Sequence, residues 1–476
     1  MKKVLLSIAL SVALTLTAFA PVSANADTIV DKSTTQGSQA QAAVMGSDVI
    51  LSAAFGRTPA SDDGQLYVFE LKTYEYSIPD GAMPIASVTA APTVGVSFPL
   101  NYTGGYGRLY NKFVFAAKRG TDWALVCNPQ YITNPEAVST NKTAVRQARP
   151  AKLFQQDNVA NISLNGIPDG MPVGTQHIVF TNTESYVATA DPHQTDDAHP
   201  VKNNPVVAYM LNADDDAGIM GLINDMNEYS AGFSHAQDFV IGNEVNERCW
   251  NYMAWVDWDT YVRKYVQAFR VCYTALKVNN PAANVYISLD QVWNKNVSNT
   301  EYLDGDEFLA KFNRMINENG NIDWNMSIHP YPNPLYYPKF WDLSGVANGK
   351  LFKSQVDKDQ VITFQNLSVL TNVLQKPDYL NRFGQVRDVI IGEIGMGTNA
   401  GNDAQAAGLA AAWAAFERNP YVTQFMYLEV DVNGFFPTMT PYTREMWNAL
   451  GTEKETEYMD WAMKQIGITD WSQVLR

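Results

Sequence analysis

The chain has 476 residues, of which 34 are lysine or arginine and 49 are aspartate or glutamate, so its formal net charge is −15 at pH 7. A surface this acidic would repel a phosphate polymer, which argues against nucleic acid as a partner. The length exceeds that of one ordinary domain, and two or more are expected. Three cysteines, Cys127, Cys249 and Cys272, are too few for a disulfide framework; Cys249 and Cys272 could pair or remain buried thiols.

Residues 1–26 have the features of a secretory signal peptide. Two lysines precede an apolar run, and Ala24-Asn25-Ala26 follows it as an A-x-A cleavage signal. The run is short for a membrane span, so an uncleaved anchor is the less favoured alternative, and no later segment resembles a transmembrane helix. We therefore expect a secreted or extracellular protein with no membrane span in the mature chain. The periplasm and the cell surface are alternative locations.

Two segments of different composition follow the predicted signal peptide. Residues 27–43 are rich in Ser, Thr, Gln and Ala, which is typical of a flexible leader. Residues 44–150 contain short β-type runs between Gly and Pro turns, among them GQLYVFEL, TVGVSFPL and RLYNKFVFAAK. This pattern predicts a small all-β, sandwich-like domain, which could bind carbohydrate or, as we favour, brace the neighbouring domain.

In residues 151–476 apolar runs alternate with helix-length amphipathic segments. The predicted strands are a run near 151–165, HIVFTNT (177–183), VVAYMLN (206–212), DFVIGNE (238–244), NVYISLD (284–290), WNMSIHPY (324–331), RDVIIGEIG (387–395) and VTQFMYLEV (422–430). Strands that alternate with helices imply a parallel sheet, and eight of them fit a (β/α)8 TIM barrel with insertions. A doubly wound sheet is the alternative, because helices are hard to recognise between 151 and 205.

The segment after DFVIGNE shows the helical pattern most clearly. The sequence predicts a helix that starts near Asp257, with Asp259 as its candidate cap. Its expected apolar stripe consists of Tyr261, Tyr265, Phe269, Cys272 and Leu276.

Polar side chains stand at the predicted strand ends: Asn243, Glu244, Asp290, His329, Tyr331, Glu393 and Glu429. The carboxyl ends of barrel strands share one face, so these groups should line one cleft. A carboxylate beside apolar residues loses solvation, its pKa tends to rise, and it can act as a general acid near neutral pH. A second carboxylate, kept ionised by hydrogen-bond donors, can attack as a nucleophile. Such a pair is suited to glycoside hydrolysis.

A barrel with NE at the end of strand four and a second Glu at the end of strand seven resembles clan A of the retaining glycoside hydrolases, over residues 151–476. The resemblance implies that Glu244 is the general acid/base and Glu393 the nucleophile. It also implies that Asn243 holds the sugar hydroxyl next to the reacting carbon. Tyr331 would donate to Glu393 and keep it oriented and ionised, and His329 would line the same cleft.

A narrower resemblance rests on GNEVN, WNYM, YISLDQVW, HPYP and the GEIG strand. Together they are similar to a family of secreted bacterial barrel proteins that is catalogued as a domain of unknown function and presumed to contain glycosidases. Two features of clan A are missing. Tyr427-Leu428-Glu429 stands where many members carry a Trp, and no Arg lies between His177 and Tyr186, where many members carry one near strand two.

Aromatic residues around the strand ends suit a sugar cleft, because apolar sugar faces stack on flat rings. They are Trp250, Tyr252, Trp255, Trp258, Trp293, Tyr331, Tyr336, Tyr337 and Trp341. For any single one of them, core packing is the more common role. The candidate substrate-binding residues are Asn243, Asp290, Trp293, His329, Tyr331, Trp250 and Glu429.

Motifs for other kinds of chemistry are weaker or absent. Gly395-Met396-Gly397-Thr398-Asn399-Ala400 matches a dinucleotide fingerprint, but too little chain follows it for such a domain. G-x-S-x-G and HExxH are absent, and the histidines lack metal spacing. His193 and His199 lie in an acidic loop that is more often solvated than bound to a cation. No cofactor and no metal are expected.

The sequence therefore predicts a secreted glycoside hydrolase that degrades an oligosaccharide or polysaccharide with retention. A non-catalytic carbohydrate-binding or cell-surface protein with a barrel cleft is the alternative. In the hydrolase, the carboxyl groups of Glu244 and Glu393 should lie about 5–5.5 Å apart. The sugar, the linkage and the oligomeric state are not specified by the sequence.

Overall fold

The computed structural model describes residues 39–141, 152–155, 174–178, 210–232, 236–248, 250–251, 253, 256–295, 301–344, 360–428 and 439–476. The predicted signal peptide lies outside this part of the chain. In the described ranges, antiparallel sheets are followed by a parallel sheet with helices, which confirms a mixed α/β architecture with an N-terminal β region. None of the helices in these ranges combines the length and apolarity that a bilayer crossing requires.

The N-terminal region consists of short strands in two antiparallel sheets. The strands are β1 (Gln39–Met45), β2 (Asp48–Ala54), β3 (Gln65–Leu71), β4 (Ala86–Thr89), β5 (Thr93–Pro99), β6 (Lys112–Arg119), β7 (Asp122–Leu125) and β8 (Gln130–Tyr131). One sheet has the order β1-β2-β5, the other has the order β4-β3-β6-β7, and β8 pairs with β6. Their buried faces share one hydrophobic core, because alternate residues of each strand point inward.

The predicted leader ends earlier than expected. Strand β1 begins at Gln39, inside the segment 27–43, and pairs along its whole length with β2. Ala42 and Val44 are buried, whereas Ala43 is half-buried and Met45 is exposed, so burial alternates along β1 as in a half-buried strand. The low hydrophobicity of alanine and glutamine concealed this strand in the sequence.

The second region contains seven parallel strands. They are β9 (Lys152–Gln155), β10 (Gly174–Ile178), β11 (Ala236–Ile241), β12 (Asn284–Leu289), β13 (Trp324–Ile328), β14 (Val389–Ile394) and β15 (Val422–Leu428). Their order is β10-β11-β12-β13-β14-β15-β9, so the first strand pairs with the last, as in a barrel. Within the described residues β9 and β10 are the two edges, and the ring is not closed between them.

One predicted strand, at 206–212, falls mostly outside the described residues, which exclude 206–209. β10 pairs directly with β11, so no described strand lies between them. Met210 and Leu211 are buried, and no named strand of the described residues includes them. β10 ends at Ile178, whereas the sequence predicted a strand over 177–183.

Seven helices of the described residues surround the parallel sheet. They are α1 (Asp216–Gly232), α2 (Trp258–Asn279), α3 (Gly305–Glu318), α4 (Ser368–Leu374), α5 (Asn402–Arg418), α6 (Pro441–Ala449) and α7 (Glu455–Ile466). The predicted apolar stripe of α2 is buried, and it includes Cys272; Cys249 lies outside the described residues. Asp259 is not the cap of this helix. Asp257 is extended and accepts a hydrogen bond from the Thr260 backbone N–H at 2.9 Å, while Asp259 is already in the first turn.

The β region packs against the helices of the parallel sheet. The Gln267 amide in α2 donates to the Thr73 carbonyl at 2.8 Å, and the hydroxyls of Thr73 and Tyr131 are 2.5 Å apart in the buried interface. Lys72 forms an ion pair of 3.2 Å with Asp216 at the start of α1. The Gln267–Thr73 bond is buried and the Lys72–Asp216 pair is exposed, and both join the β region to helices of the parallel sheet. The bracing role of the β region stays a prediction.

Candidate active site

Glu244 lies three residues after strand β11, and its backbone has a conformation that few residues adopt. Its φ is +44°, in the left-handed region, and Gly242 before it has φ +90°. Such a conformation costs on the order of 1 kcal/mol for a residue with a side chain. The turn is held because the Val245 N–H donates to the Ser288 carbonyl at 2.9 Å and the Asn251 amide donates to the Asn243 carbonyl at 2.7 Å. These bonds fix the direction of the Glu244 side chain.

Glu393 lies within strand β14 and is 7% exposed. The residue before it, Gly392, has no space for a side chain: a Cβ there would lie 2.0 Å from the Ser327 hydroxyl and 3.3 Å from Nε2 of His329. The neighbouring strand β13 can therefore approach β14 closely only because residue 392 is glycine. This approach brings His329 beside Glu393.

His329 lies between the two glutamates and is completely buried. Its Nδ1 is 2.9 Å from Oε1 of Glu244 and 3.5 Å from Oε2 of Glu393, while its Nε2 is 3.1 Å from the Ser288 hydroxyl. The Tyr331 hydroxyl donates to Oε2 of Glu393 at 3.0 Å. The structure thus brings together four side chains that the sequence placed in one cleft.

Burial dominates the electrostatics of this cluster. It raises the pKa of Glu244 to about 7, against which a hydrogen bond from Trp250 acts. It also raises the pKa of Glu393, although the positive form of His329 and the Tyr331 hydroxyl oppose the change. The Tyr331 hydroxyl lowers the pKa of Glu393, but desolvation outweighs it and the net shift is upward. That Tyr331 keeps Glu393 ionised stays a prediction. Burial lowers the pKa of His329, which keeps the ring neutral near pH 7.

Asp290 supports the site through the loop that carries Glu244. Its Oδ1 accepts from the Asn246 amide at 2.8 Å and from the Val292 N–H at 3.0 Å, and its own N–H donates to Oδ1 of Asn246 at 3.2 Å. Burial and the nearby charges of Glu244 and Glu247 raise its pKa well above the usual range. These contacts are internal, whereas the sequence assigned Asp290 to substrate.

The other predicted substrate-binding residues differ in their exposure and in their hydrogen-bond partners. Trp250 is half-buried and its side chain hydrogen-bonds Glu244. Trp293 is 4% exposed and belongs to the hydrophobic core, so little of its ring is available to a sugar. Asn243 is buried, and within the described residues its Oδ1 has no hydrogen-bond partner, so this acceptor could receive a donor from a ligand. Glu429 lies outside the described residues.

Sequence reasoning missed two groups that shape the cluster. Ser288 contacts the ring of His329, and its only signal in the sequence is a polar residue inside the apolar run NVYISL. Gly392 permits the close approach of β13 and β14, but one glycine in a strand does not reveal what it faces.

The cluster also has the donor set of a cation site. Glu244, His329 and Glu393 each offer one ligand atom, and these atoms lie within 4.8 Å of one another. Two carboxylates and one imidazole suit a divalent transition metal, although the atoms would have to move closer together. His193 and His199, the other residues considered for a cation, lie outside the described part of the chain.

Comparison with known proteins gives a family without an assigned activity. The family of unknown function DUF5722 matches residues 175–474. No curated protein matches the chain.

Solved structures with similarity to the chain include a family 39 glycoside hydrolase from the gut symbiont Bacteroides cellulosilyticus WH2. It is 13% identical, with 79% of this chain and 72% of that chain covered and a TM-score of 0.33. The β-glucuronidase of Ruminococcus gnavus is 9% identical, with coverages of 90% and 68% and a TM-score of 0.31. The β-D-glucuronidase of Dictyoglomus thermophilum is 9% identical, with coverages of 91% and 68% and a TM-score of 0.29. TM-scores this low carry no argument about activity.

Proposed function

This chain belongs to the family of unknown function DUF5722, and from its own residues we propose that it is a secreted glycoside hydrolase that acts with retention. Its substrate would be an oligosaccharide or polysaccharide. Secretion rests on the predicted signal peptide, and the mature protein should begin at Asp27 when its N-terminus is sequenced after export.

One observation carries the proposal: two glutamates, Glu244 half-buried and Glu393 buried, face each other with a carboxylate oxygen of each within 4.8 Å. Retaining glycosidases hold their carboxyl groups about 5–5.5 Å apart, whereas inverting enzymes hold them about 6.5–9.5 Å apart to admit a water molecule. The short separation supports direct attack by one carboxylate on the sugar. Inversion would need a wider cleft.

The proposed first step transfers the proton of Glu244 to the glycosidic oxygen while a Glu393 oxygen attacks the anomeric carbon. The bond between that carbon and the glycosidic oxygen breaks, the alcohol leaves, and an ester links the sugar to Glu393. In the second step the Glu244 carboxylate takes a proton from water, and the water oxygen attacks the same carbon. The ester bond breaks and Glu393 returns as a carboxylate.

The environments of the two glutamates support this division of roles. The pKa of Glu244, raised to about 7, leaves a proton available near neutral pH. Glu393 receives the Tyr331 hydroxyl at 3.0 Å, which orients one oxygen and leaves the other for attack. Both glutamates contact the same imidazole, so His329 could transmit a change in the charge of one to the other.

The decisive experiment is a screen of polysaccharides and activated aryl glycosides, followed by trapping. A 2-deoxy-2-fluoro analogue of the best substrate should form a stable ester, and mass spectrometry should find it on the peptide that contains Glu393. NMR should show the first-formed product with the anomeric configuration of the substrate. Glu417→Gln, a change on α5 away from the cluster, should label like the wild type.

Four results would contradict the proposal. Inverted product would exclude the covalent intermediate, and label on another residue would exclude Glu393 as nucleophile. Glycan binding without any product would favour a carbohydrate-binding protein. Activity that disappears with a chelator and returns with a divalent metal would assign Glu244, His329 and Glu393 to a metal centre instead.

A further inference from the structure

Tyr336 lies on the loop after strand β13, at the edge of the glutamate cluster. Its ring packs edge-on against Tyr331, with centroids 4.9 Å apart and planes at 81°. The residue is half-buried, and Leu335 before it is 47% exposed, so the loop reaches solvent. Tyr336 also has φ +61°, a left-handed conformation that is costly for an aromatic residue.

The backbone of Tyr336 is tied to the loop that follows Glu393. The Gly397 N–H donates to the Tyr336 carbonyl at 2.7 Å. A Cβ at Gly397 would lie 2.7 Å from that carbonyl oxygen and 3.0 Å from Oδ1 of Asn399, so a side chain does not fit without a shift. The second glycine of Gly395-Met396-Gly397 thus serves this contact between two loops, and not a dinucleotide.

The ring of Tyr336 packs on Tyr331, whose hydroxyl donates to Glu393, so Tyr336 lies next to the reacting groups. Burial raises its pKa, the charges of Glu393 and Glu244 raise it further, and its hydroxyl hydrogen-bonds the Tyr331 side chain. The phenol therefore stays protonated and can donate or accept a hydrogen bond at neutral pH. The bond that joins the loop to Gly397 uses only its carbonyl, so the ring and hydroxyl are not needed for that contact.

We infer that Tyr336 is a substrate-binding residue for the sugar ring attacked by Glu393, and that Gly397 positions it. This inference rests on the proposed hydrolase function. The partly exposed ring offers a flat surface for the apolar face of a pyranose, and its hydroxyl, which hydrogen-bonds Tyr331, can also bond a sugar hydroxyl. Because the charges of Glu244 and Glu393 act on this position, the ligand it fits is an uncharged, hydroxyl-rich glycone and not an anionic one. The left-handed backbone of Tyr336 is retained because the Gly397 bond and Tyr331 hold the loop.

The test compares Tyr336→Phe, Tyr336→Ala and Gly397→Ala with the wild type on the aryl glycoside that the screen selects. Removal of the hydroxyl should raise KM about 3- to 10-fold, with kcat within about 2-fold, because a neutral hydrogen bond is lost. Removal of the ring should raise KM about 10-fold further. Gly397→Ala should raise KM although the tyrosine is intact, since the loop must shift.

Tyr421→Phe is the control, because it removes a tyrosine hydroxyl that donates to Gln375 just before β15, away from the glutamate cluster, and it should leave KM unchanged. Thermal unfolding monitors folding, and if Gly397→Ala does not fold, Tyr336→Phe still decides. Unchanged KM in both Tyr336 variants, or equal losses in the Tyr421 control, would overturn the inference. A wild type that cleaves no glycoside would instead contradict the proposed function and remove the premise of this one.

Discussion

The two ends of strand β11 bear buried carboxylates in opposite settings. Near its start, Asp238 is fully buried and accepts from the Asn284 amide at 2.6 Å, the Tyr286 hydroxyl at 3.1 Å and the Gln424 amide at 2.6 Å. Beyond its end, Glu244 faces a second carboxylate, Glu393, across one shared imidazole. The same chemical group is surrounded by donors in one place and opposed by a like charge in the other.

The difference separates a structural carboxylate from a reactive one. At Asp238, two donors from the adjacent strand β12 and one from β15, which is not adjacent to β11 in the sheet, satisfy the charge and join the strands. At Glu244, burial without enough donors raises the pKa to about 7, so the proton is easily given and regained. Stability should therefore depend on the first site and chemistry on the second. Substitutions at four positions test this contrast.

The largest effect is expected at the nucleophile. Glu393→Gln keeps the shape of the side chain but cannot form the ester, so kcat/KM should fall on the order of 10⁵-fold. The melting temperature should not fall, because the amide can still accept from Tyr331. Steady-state kinetics and calorimetry measure both. Undiminished turnover would exclude Glu393 as the nucleophile. A large loss of stability would show that Glu393, like Asp238, has a structural role.

The next effect concerns stability. Asp238→Ala removes the acceptor of three hydrogen bonds from a fully buried position, so the free energy of unfolding should fall by about 3–5 kcal/mol. At a temperature where the variant is still folded, kcat should stay within a few-fold of the wild type. Denaturant unfolding and kinetics test this pair of expectations. A stable but inactive variant would show that Asp238 takes part in the chemistry.

A smaller effect depends on pH. The pKa of Glu244 is raised in the folded chain from 4.5 to about 7, so its contribution to stability is full below pH 4.5 and is lost as the pH rises through 7. Glu244→Gln should therefore be more stable than the wild type at pH 8, by about 1–3 kcal/mol, and equal to it near pH 4.

The same titration should govern activity. Because the first step needs protonated Glu244, kcat/KM of the wild type should fall above about pH 7. Glu244→Gln should lose that alkaline limb along with most of its rate, and azide should restore turnover of a substrate with a good leaving group. Equal stability of the two proteins at pH 8 would contradict the raised pKa.

The smallest effect is expected at Ser288, which contacts the imidazole ring of His329. The Ser288 hydroxyl, 3.1 Å from Nε2 of His329, orients the ring without touching the glutamates. Ser288→Ala should lower kcat about 2- to 10-fold, the value of one neutral hydrogen bond, and Ser288→Thr should restore part of the loss. If neither variant changes kcat or its pH profile, His329 is held by packing alone.

The sequence was most informative where a polar side chain interrupts or follows an apolar run. Glu244, His329, Tyr331 and Glu393 were predicted as neighbours because each follows or interrupts a buried strand, and parallel strands end on one face. The strand expected at 206–212 stays a prediction, because residues 206–209 lie outside the described part of the chain. Apolar residues report burial, and burial does not say whether a segment pairs with a sheet.

Contacts between distant segments could not be predicted from local pattern. The clash that a side chain at Gly392 would make with Ser327, and the bond from Gly397 to Tyr336, join residues more than sixty positions apart. The pKa of Glu393 depends on how burial and its donors balance, which is a property of three strands together. The edge strand β1 was hidden because its alanines bury little apolar surface each.

The pairing of β9 with β15 bears on the order in which the molecule can form. Lys152 lies opposite Phe425, so the sheet joins segments 425 − 152 = 273 residues apart, whereas β1 and β2 are joined by a turn. Local pairs close at low entropic cost and distant ones at a higher cost. During synthesis the β region can therefore fold early and act as a template for α2. The parallel sheet keeps an unpaired edge until β15 has been synthesised. During that interval the chain is most prone to aggregation.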